Sequence, residues 1–249
     1  DIEDAIAPSQ KNLARERTLA LFDQDIDIAT PECIVRINNL RSVDGLRDVI
    51  AILEHTRPPP ALMLTKVKSR DEVCQLDELL SMPPHDAIRF HVIIETNEGL
   101  EAAHEIARSS KRIDSLLFGG VDMSAELRTN LEWENLLYAR SRVVHAAAGA
   151  GIDLLDVPSL DLDDLKSLER SAKASADLGF TGKAAIHPRQ VPIINACFSP
   201  STEAVSEAQK IVKAFESSED GLVVVDGKLL ERPVLRSMYR ILAVAEQNR

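Results

Sequence analysis

The chain has 249 residues, of which 45% are hydrophobic and 28% charged, so it can bury a full core as one main domain. Its 29 lysines and arginines against 40 aspartates and glutamates leave a net charge of −11, without the basic surplus that non-specific nucleic-acid binding needs. No apolar run approaches the roughly 20 residues of a membrane helix, so we expect no membrane partner and no signal segment. Three scattered cysteines, Cys33, Cys74 and Cys197, indicate reduced thiols and a cytoplasmic location.

Short apolar runs alternate with longer amphipathic runs over most of the chain, which indicates repeated strand–helix units and a parallel sheet of the α/β class. Several of the runs are nearly all apolar and β-branched, as strands covered on both faces should be. The predicted strands are Cys33–Asn38, Ala61–Val67, Phe90–Thr96, Ser115–Gly119, Leu154–Val157 and Gly182–His187.

The first residues, Asp1–Ile6, read like the tail of a strand that runs into a helix. Adding this tail to the six runs gives seven strands, whereas a closed barrel of parallel strands has eight. We therefore expect about one further strand–helix unit ahead of Asp1, so that the first strand of the (β/α)8 TIM barrel is missing from this chain.

A turn-forming segment, Ser199–Thr202, separates a predicted barrel of residues 1–198 from an arm of residues 199–249. The arm contains an amphipathic stripe ending at Phe215, a hairpin-like run with Asp226-Gly227 as its turn, and a second stripe starting at Val234. We interpret it as a C-terminal helical lid or a subunit-contact arm.

Polar residues follow the predicted strands at the barrel edge where active sites are built. This edge is rich in both carboxylates and cations, which favours a binding site over simple solvation. Its members are Asp1, Glu3, Arg36, Asn38, Lys66, Lys68, Glu95, Asp122, Asp156 and His187.

Glu95 and Asp122 form the most informative pair, because each follows an apolar strand and neighbouring strands would bring them together. Two carboxylates at one edge repel unless they share a proton or a cation. Mg²⁺ takes one or two carboxylates together with waters and substrate oxygens, so the pair predicts a magnesium site. A surface or helix-capping role for either acid is the competing interpretation.

Three further side chains could contact an anionic substrate. Arg36 has the fork geometry for a carboxylate or phosphate, or could form a rim salt bridge. Lys66 could counter a carboxylate or extend its stem over apolar surface. His187 could be an acid–base or substrate-binding group, or could fix a loop by hydrogen bonds.

Six segments in order resemble the citrate lyase β-subunit/malyl-CoA lyase family, a branch of the metal-dependent aldolases, and together they cover most of the chain. They are Asp1–Ala5, Val35–Asn38, Ile94–Leu100, Phe118–Asp122, Tyr138–Arg142, and Gly179–Lys183 continuing to Ile186–Gln190.

The resemblance implies a (β/α)8 barrel that binds Mg²⁺ and a CoA thioester. By position, Glu95 and Asp122 match the metal carboxylates, and Arg36 matches the arginine that contacts the acyl portion of the substrate. Glu3 matches an active-site acid of the second strand, and Glu231 aligns with an acid–base aspartate that reaches a neighbouring subunit. The same resemblance implies a homo-oligomer, a trimer or hexamer.

The chain departs from the family pattern in two places. Lys68 stands where many relatives have glutamate in a Lys-Val-Glu segment, which changes the charge of the edge. Glu231 stands in place of the aspartate, which keeps the carboxylate but adds one methylene. A misplacement of about 1 Å can cost a hundredfold in rate, so this second change bears on activity or substrate choice.

These observations predict a Mg²⁺-dependent lyase that cleaves a β-hydroxyacyl-CoA thioester, such as citramalyl-CoA, malyl-CoA or a citryl thioester, into an acyl-CoA and a 2-oxo acid. The same site could instead hydrolyse a malyl-type thioester. A third interpretation is a non-catalytic subunit or ligand-binding homologue that keeps the metal site, which the Glu231 replacement leaves open.

Overall fold

A computed structural model describes residues 1–23, 31–218 and 222–247 of the chain. The main sheet in these residues has six parallel strands, and their order in the sheet is their order in the sequence. The strands are β1 (Ile34–Ile37), β2 (Ala61–Leu64), β3 (Arg89–Ile94), β4 (Ile113–Phe118), β5 (Asp153–Asp156) and β6 (Gly182–Lys183).

Helices follow the strands in the alternation that the sequence predicts. They are α1 (Lys11–Ala20), α2 (Val43–Glu54), α3 (Arg70–Leu79), α4 (Asn97–Glu101), α5 (Ala103–Ile106), α6 (Gly120–Glu126), α7 (Leu137–Ala150), α8 (Leu165–Leu178), α9 (Val191–Phe198), α10 (Thr202–Glu216) and α11 (Arg232–Gln247). Among the described residues, none of the helices is both long and apolar enough to cross a membrane.

The sequential strand order distinguishes a singly wound, barrel-type sheet from a doubly wound sheet, in which the order reverses at a switch point. Side chains such as Ile37, Leu62, Leu64 and Phe90 are completely buried, as expected for strands covered on both faces. All six predicted strands are confirmed, together with the α/β class.

Of the predicted strand tail at Asp1–Ile6, residues 3–6 form bends and a turn, and the pairing with β1 is limited to Ile2. The Ile2 N–H donates to the Arg36 carbonyl over 3.0 Å, but the Ile6 N–H turns back to the Glu3 carbonyl over 2.9 Å. The chain therefore turns away from β1 after Ile2.

Contacts divide the chain into two compact units. The first contains Asp1–Asp161 and Ala174–Ile186, and the second contains Leu162–Lys173 and His187–Arg249. The predicted boundary between residues 198 and 199 lies inside the second unit and stays a prediction.

In the second unit, a two-stranded antiparallel hairpin joins α10 to α11. Its strands are β7 (Leu222–Val225) and β8 (Lys228–Glu231), as the Asp-Gly turn predicts. Asp226 and Gly227 both have positive φ, 51° and 75°, which is typical of the type I′ turn that matches strand twist. Ile211 and Phe215 of α10 pack with Val223 and Val225 of β7 in a small apolar core.

Asp156, predicted to face the site at the end of β5, is instead completely buried. Its carboxylate accepts hydrogen bonds from Arg140 Nε at 3.0 Å, Lys183 Nζ at 2.8 Å and Ser175 Oγ at 2.7 Å. Burial alone would raise the pKa of Asp156, but the charges of Lys183 and Arg140 outweigh this effect and lower it. Asp156 therefore ties β5 to β6, α7 and α8 instead of contacting a ligand.

Replacing Asp156 by asparagine should destabilise the fold by about 3–5 kcal/mol, because Lys183 and Arg140 would keep buried charges without a counter-ion. Asp153 lies on the same strand with its side chain exposed, so Asp153→Asn is the matched control and should change stability by less than about 0.5 kcal/mol. Urea unfolding of both variants measures the difference. Equal midpoints would show that the Asp156 network does not hold these elements together.

Candidate active site

Glu95 lies directly after β3 and is buried, with 5% of its surface exposed. Its Oε1 accepts a hydrogen bond from the backbone N–H of Lys66 over 2.7 Å. Gly119, directly after β4, makes this placement possible: a Cβ there would lie 2.5 Å from Glu95 Cβ and 2.6 Å from Oε2. The sequence reasoning did not identify this need for glycine, although Gly119 precedes the predicted metal ligand Asp122 by three residues.

The surroundings of Glu95 disfavour its charged form. Burial, together with the negative charges of Asp122 and Glu3, raises the pKa of Glu95 to about 7, against the opposing effects of the Lys66 N–H and the Lys66 charge. The three acids are therefore close enough to influence one another, as expected from their predicted position at one edge of the sheet. A proton or a bound cation would relieve their repulsion.

Asp122 lies in the first turn of α6 and is partly exposed. With Glu95 it supplies two hard carboxylates, a set that fits a divalent cation completed by water and substrate oxygens. Among residues 1–23, 31–218 and 222–247, the structure contains no cluster of three or more acidic, histidine or cysteine side chains suited to a metal.

Arg36, Glu3 and Lys66 form a second charged group at the same edge of the sheet. Lys66 Nζ donates to Glu3 Oε1 over 2.7 Å and to Asp4 Oδ2 over 2.5 Å. Arg36 lies 3.6 Å from Glu3 Oε2 and donates two hydrogen bonds to Asp1, over 2.6 and 3.1 Å. The structure brings these three predicted residues together, and the pairing of Arg36 with acids is also what the salt-bridge interpretation predicts.

The charges in this second group compensate one another. Burial alone would lower the pKa of Lys66, but its hydrogen bonds to Asp4 and Glu3 outweigh this effect and raise it. The hydrogen bond from Lys66 lowers the pKa of Asp4. The two cations thus satisfy the acids of the N-terminal segment, whereas the hydrogen bond that Glu95 accepts from Lys66 comes from the backbone N–H and the ammonium charge acts on Glu95 only at longer range.

A buried network under the N-terminal segment holds Glu3 in place. Lys11 Nζ donates to the Ile2 and Glu3 carbonyls and to Asn38 Oδ1, over 3.0, 2.7 and 2.7 Å. Asn38 in turn donates its backbone and side-chain N–H groups to Asp48, over 2.8 and 2.7 Å. Asn38 was predicted to face the site, but it is buried and supports the segment from beneath.

The remaining two predicted site residues belong to the second unit. His187 precedes a short 3-10 helix at Pro188–Gln190, and its Nδ1 accepts the Arg189 N–H over 3.1 Å, which is the loop-fixing role. Glu231 is exposed at the end of β8. The contribution of either residue to a site with Glu95 stays a prediction.

Residues 1–188 match the HpcH/HpaI aldolase/citrate lyase family. The mouse mitochondrial citramalyl-CoA lyase is 30% identical over 266 residues, which cover 98% of this chain and 78% of that protein. The L-malyl-CoA/β-methylmalyl-CoA lyase of Cereibacter sphaeroides is 29% identical over 274 residues, covering 99% and 86%.

The crystal structure of CitE from Mycobacterium tuberculosis, in complex with magnesium, acetoacetate and coenzyme A, is similar with a TM-score of 0.76. It is 29% identical, and the match covers 99% of this chain and 88% of that one. The parallel α/β sheet agrees with these similarities. The chain belongs to the HpcH/HpaI aldolase/citrate lyase family.

Proposed function

We propose that the chain is a Mg²⁺-dependent carbon–carbon lyase that cleaves a β-hydroxyacyl-CoA thioester into an acyl-CoA and a 2-oxo acid. The observation that carries this proposal is the carboxylate pair at the carboxyl edge of the sheet, in which Glu95 is buried with a raised pKa and Asp122 is partly exposed and close enough to raise it. Relatives named as citramalyl-CoA and malyl-CoA lyases support the reaction class, and the CitE complex supports the ligands.

In this proposal Glu95 and Asp122 hold the Mg²⁺ ion, with Lys66 orienting Glu95 through its backbone N–H. When bound, the ion acts as a Lewis acid on substrate oxygens and as a template for their orientation. The raised pKa of Glu95 is consistent with this role, because a cation would stabilise the carboxylate that burial disfavours.

Arg36 and Lys66 provide the cationic side chains for the anionic parts of the substrate, and Arg36 suits a carboxylate through its fork geometry. Arg36 pairs with Asp1 and Lys66 pairs with Glu3 in the structure. A substrate carboxylate would therefore replace Asp1 on Arg36, or compete with these acids for the hydrogen-bond donors of Arg36 and Lys66. Glu3 keeps Lys66 oriented toward the edge.

The reaction is a retro-Claisen cleavage. A base removes the β-hydroxyl proton, the oxygen forms the carbonyl of the 2-oxo acid, and the electron pair of the breaking carbon–carbon bond moves into a thioester enolate. Arg36 stabilises developing negative charge, which is the largest type of contribution that preorganised groups make. Glu231 of a neighbouring subunit protonates the enolate carbon and releases the acyl-CoA, a role proposed from its sequence position alone.

The assembly and location of the protein are further proposals. The outer side of the hairpin exposes Leu222, Val224 and Leu229, which favours a homo-oligomer built through the arm, a trimer or hexamer by family resemblance. The thiols of Cys33, Cys74 and Cys197 are free, which favours a reducing, cytoplasmic-type compartment.

Product analysis tests the proposed reaction. With citramalyl-CoA and malyl-CoA, the protein should release acetyl-CoA and a 2-oxo acid only when Mg²⁺ is present, and Glu95→Gln should lower the rate at least about a hundredfold. Glu98→Gln, which changes an exposed acid three residues away, is the matched control and should retain activity. Free CoA without acetyl-CoA would instead identify a thioesterase, and 2-oxo acid binding without turnover would identify a non-catalytic homologue.

The pH dependence of Mg²⁺ binding tests the metal site separately from turnover. Because the pKa of Glu95 is about 7 in the metal-free protein, protons compete with the cation increasingly as the pH falls below this value. The apparent Mg²⁺ dissociation constant, measured by calorimetric titration, should rise about tenfold from pH 8 to pH 6. An affinity that does not change over this range would contradict the assignment of Glu95.

A further inference from the structure

The turn Lys66–Lys68, directly after β2, adopts a backbone conformation that its sequence does not favour. Lys66 has φ +52°, in the left-handed region that is unfavourable for a residue with a side chain. Such a conformation persists only where its surroundings hold it. In this turn it directs the Lys66 N–H to Glu95 Oε1 while the ammonium group reaches Glu3.

Arg41, in the loop between β1 and α2, holds this turn together with Glu72 in the first turn of α3. Arg41 Nη2 donates to the Lys66 carbonyl over 2.8 Å, and its Nη1 donates to Glu72 Oε1. The same Glu72 oxygen accepts the backbone N–H of Lys68 over 3.2 Å. Arg41 and Glu72, which we call the turn clamp, therefore connect both ends of the turn.

The geometry of the clamp depends on both members. The Glu72 side chain is only 13% exposed, and its Oε2 is buried without a hydrogen-bond partner in the described residues. Arg41 supplies the charge that makes this placement tolerable, since an unpaired buried carboxylate is strongly unfavourable. Without Arg41, Glu72 would turn toward water and release Lys68.

We propose that Arg41, acting with Glu72, is a positioning residue for the metal carboxylate Glu95, because the turn clamp fixes the peptide that donates to it. This inference rests on the proposed function, since it concerns the same metal site. Arg41 contacts neither Glu95 nor Asp122 in the hydrogen bonds and ion pairs of the described residues, and it acts through the Lys66 backbone.

The direction in which Arg41→Ala changes the Mg²⁺ affinity distinguishes a positioning role from a purely electrostatic one. If Arg41 and Glu72 acted only through their charges, Arg41→Ala would strengthen Mg²⁺ binding by removing a cation, and Glu72→Gln would weaken it by removing an anion. Loss of the turn clamp weakens binding in both variants. Partners that orient a metal ligand typically contribute 10–100-fold in affinity, so we expect the dissociation constant to rise about tenfold in each.

Calorimetric titration of the full chain with Mg²⁺ measures these constants. Arg47→Ala is the matched control, because it also removes an arginine, one that pairs with Asp44 on α2 at 3.4 Å. Combining Arg41→Ala with Glu72→Gln should weaken binding no more than either change alone, as for residues that act as one unit. Amide hydrogen exchange at Lys66 in the metal-free protein should accelerate about tenfold in both single variants.

Two outcomes overturn the inference: one leaves the proposed function standing, and the other removes the metal site as well. If Arg41→Ala leaves Mg²⁺ binding and Lys66 exchange unchanged while Glu95→Gln abolishes binding, the turn clamp has no positioning role and the proposed function stands. If Glu95→Gln binds Mg²⁺ as the unchanged protein does, the metal site and the inference fail together. Should Arg41→Ala fail to fold, amide exchange at Lys66 in Glu72→Gln keeps the test available, because removing an anion without releasing the turn would leave that exchange rate unchanged.

Discussion

Which acids at the carboxyl edge of the sheet pair with Arg36 and Lys66 determines which acids remain available to bind a cation. Arg36 and Lys66 are taken up by acids of the N-terminal segment, including Glu3. Glu95 accepts its hydrogen bond from the backbone N–H of Lys66, and burial and the charge of Asp122 outweigh both this bond and the more distant Lys66 charge in opposing its ionisation. The same lysine thus compensates one acid with its ammonium group and another with its backbone. This division leaves one carboxylate pair in need of a cation.

Two buried acids provide the framework that keeps this edge in place. Asp48 accepts a hydrogen bond from Arg15 Nε over 2.6 Å and two more from the backbone and side-chain N–H groups of Asn38. Asp156 forms ion pairs with Arg140 and Lys183. Buried ion pairs of this kind contribute little net stability compared with apolar packing. Their directional hydrogen bonds fix where the loops after β1 and β5 lie, which an apolar core does less specifically.

The sequence predicted the sheet well because buried parallel strands are apolar along their whole length, as in the runs around Leu62 and Val92. It predicted less well which polar residues face the site. Asn38 directly follows a strand as Glu95 does, and Asp156 is the last residue of one, but the direction of their side chains depends on partners from distant segments, such as Lys11 and Arg140. Position after a strand indicates the edge of the sheet and not the direction of the side chain.

The left-handed conformation of Lys66 could not be predicted either, since lysine has no preference for it and the conformation is held by contacts that are remote in sequence. Glycine or asparagine at that position would have been a local signal; lysine is not. The family resemblance supplied the roles of Glu95 and Asp122 that spacing left open. It supplied no role for Arg41, whose importance follows from the geometry of the turn.

The two departures from the family pattern differ in their consequences. Lys68 donates its backbone N–H to Glu72 and its ammonium to Glu98, over 3.2 and 2.9 Å, so its charge is balanced at the surface beside the turn. This replacement leaves the surroundings of Glu95 intact. Glu231 is the proposed proton donor, and its one added methylene changes the reach of the carboxylate. Substrate choice and rate should therefore depend on the acid–base step, with the metal site preserved.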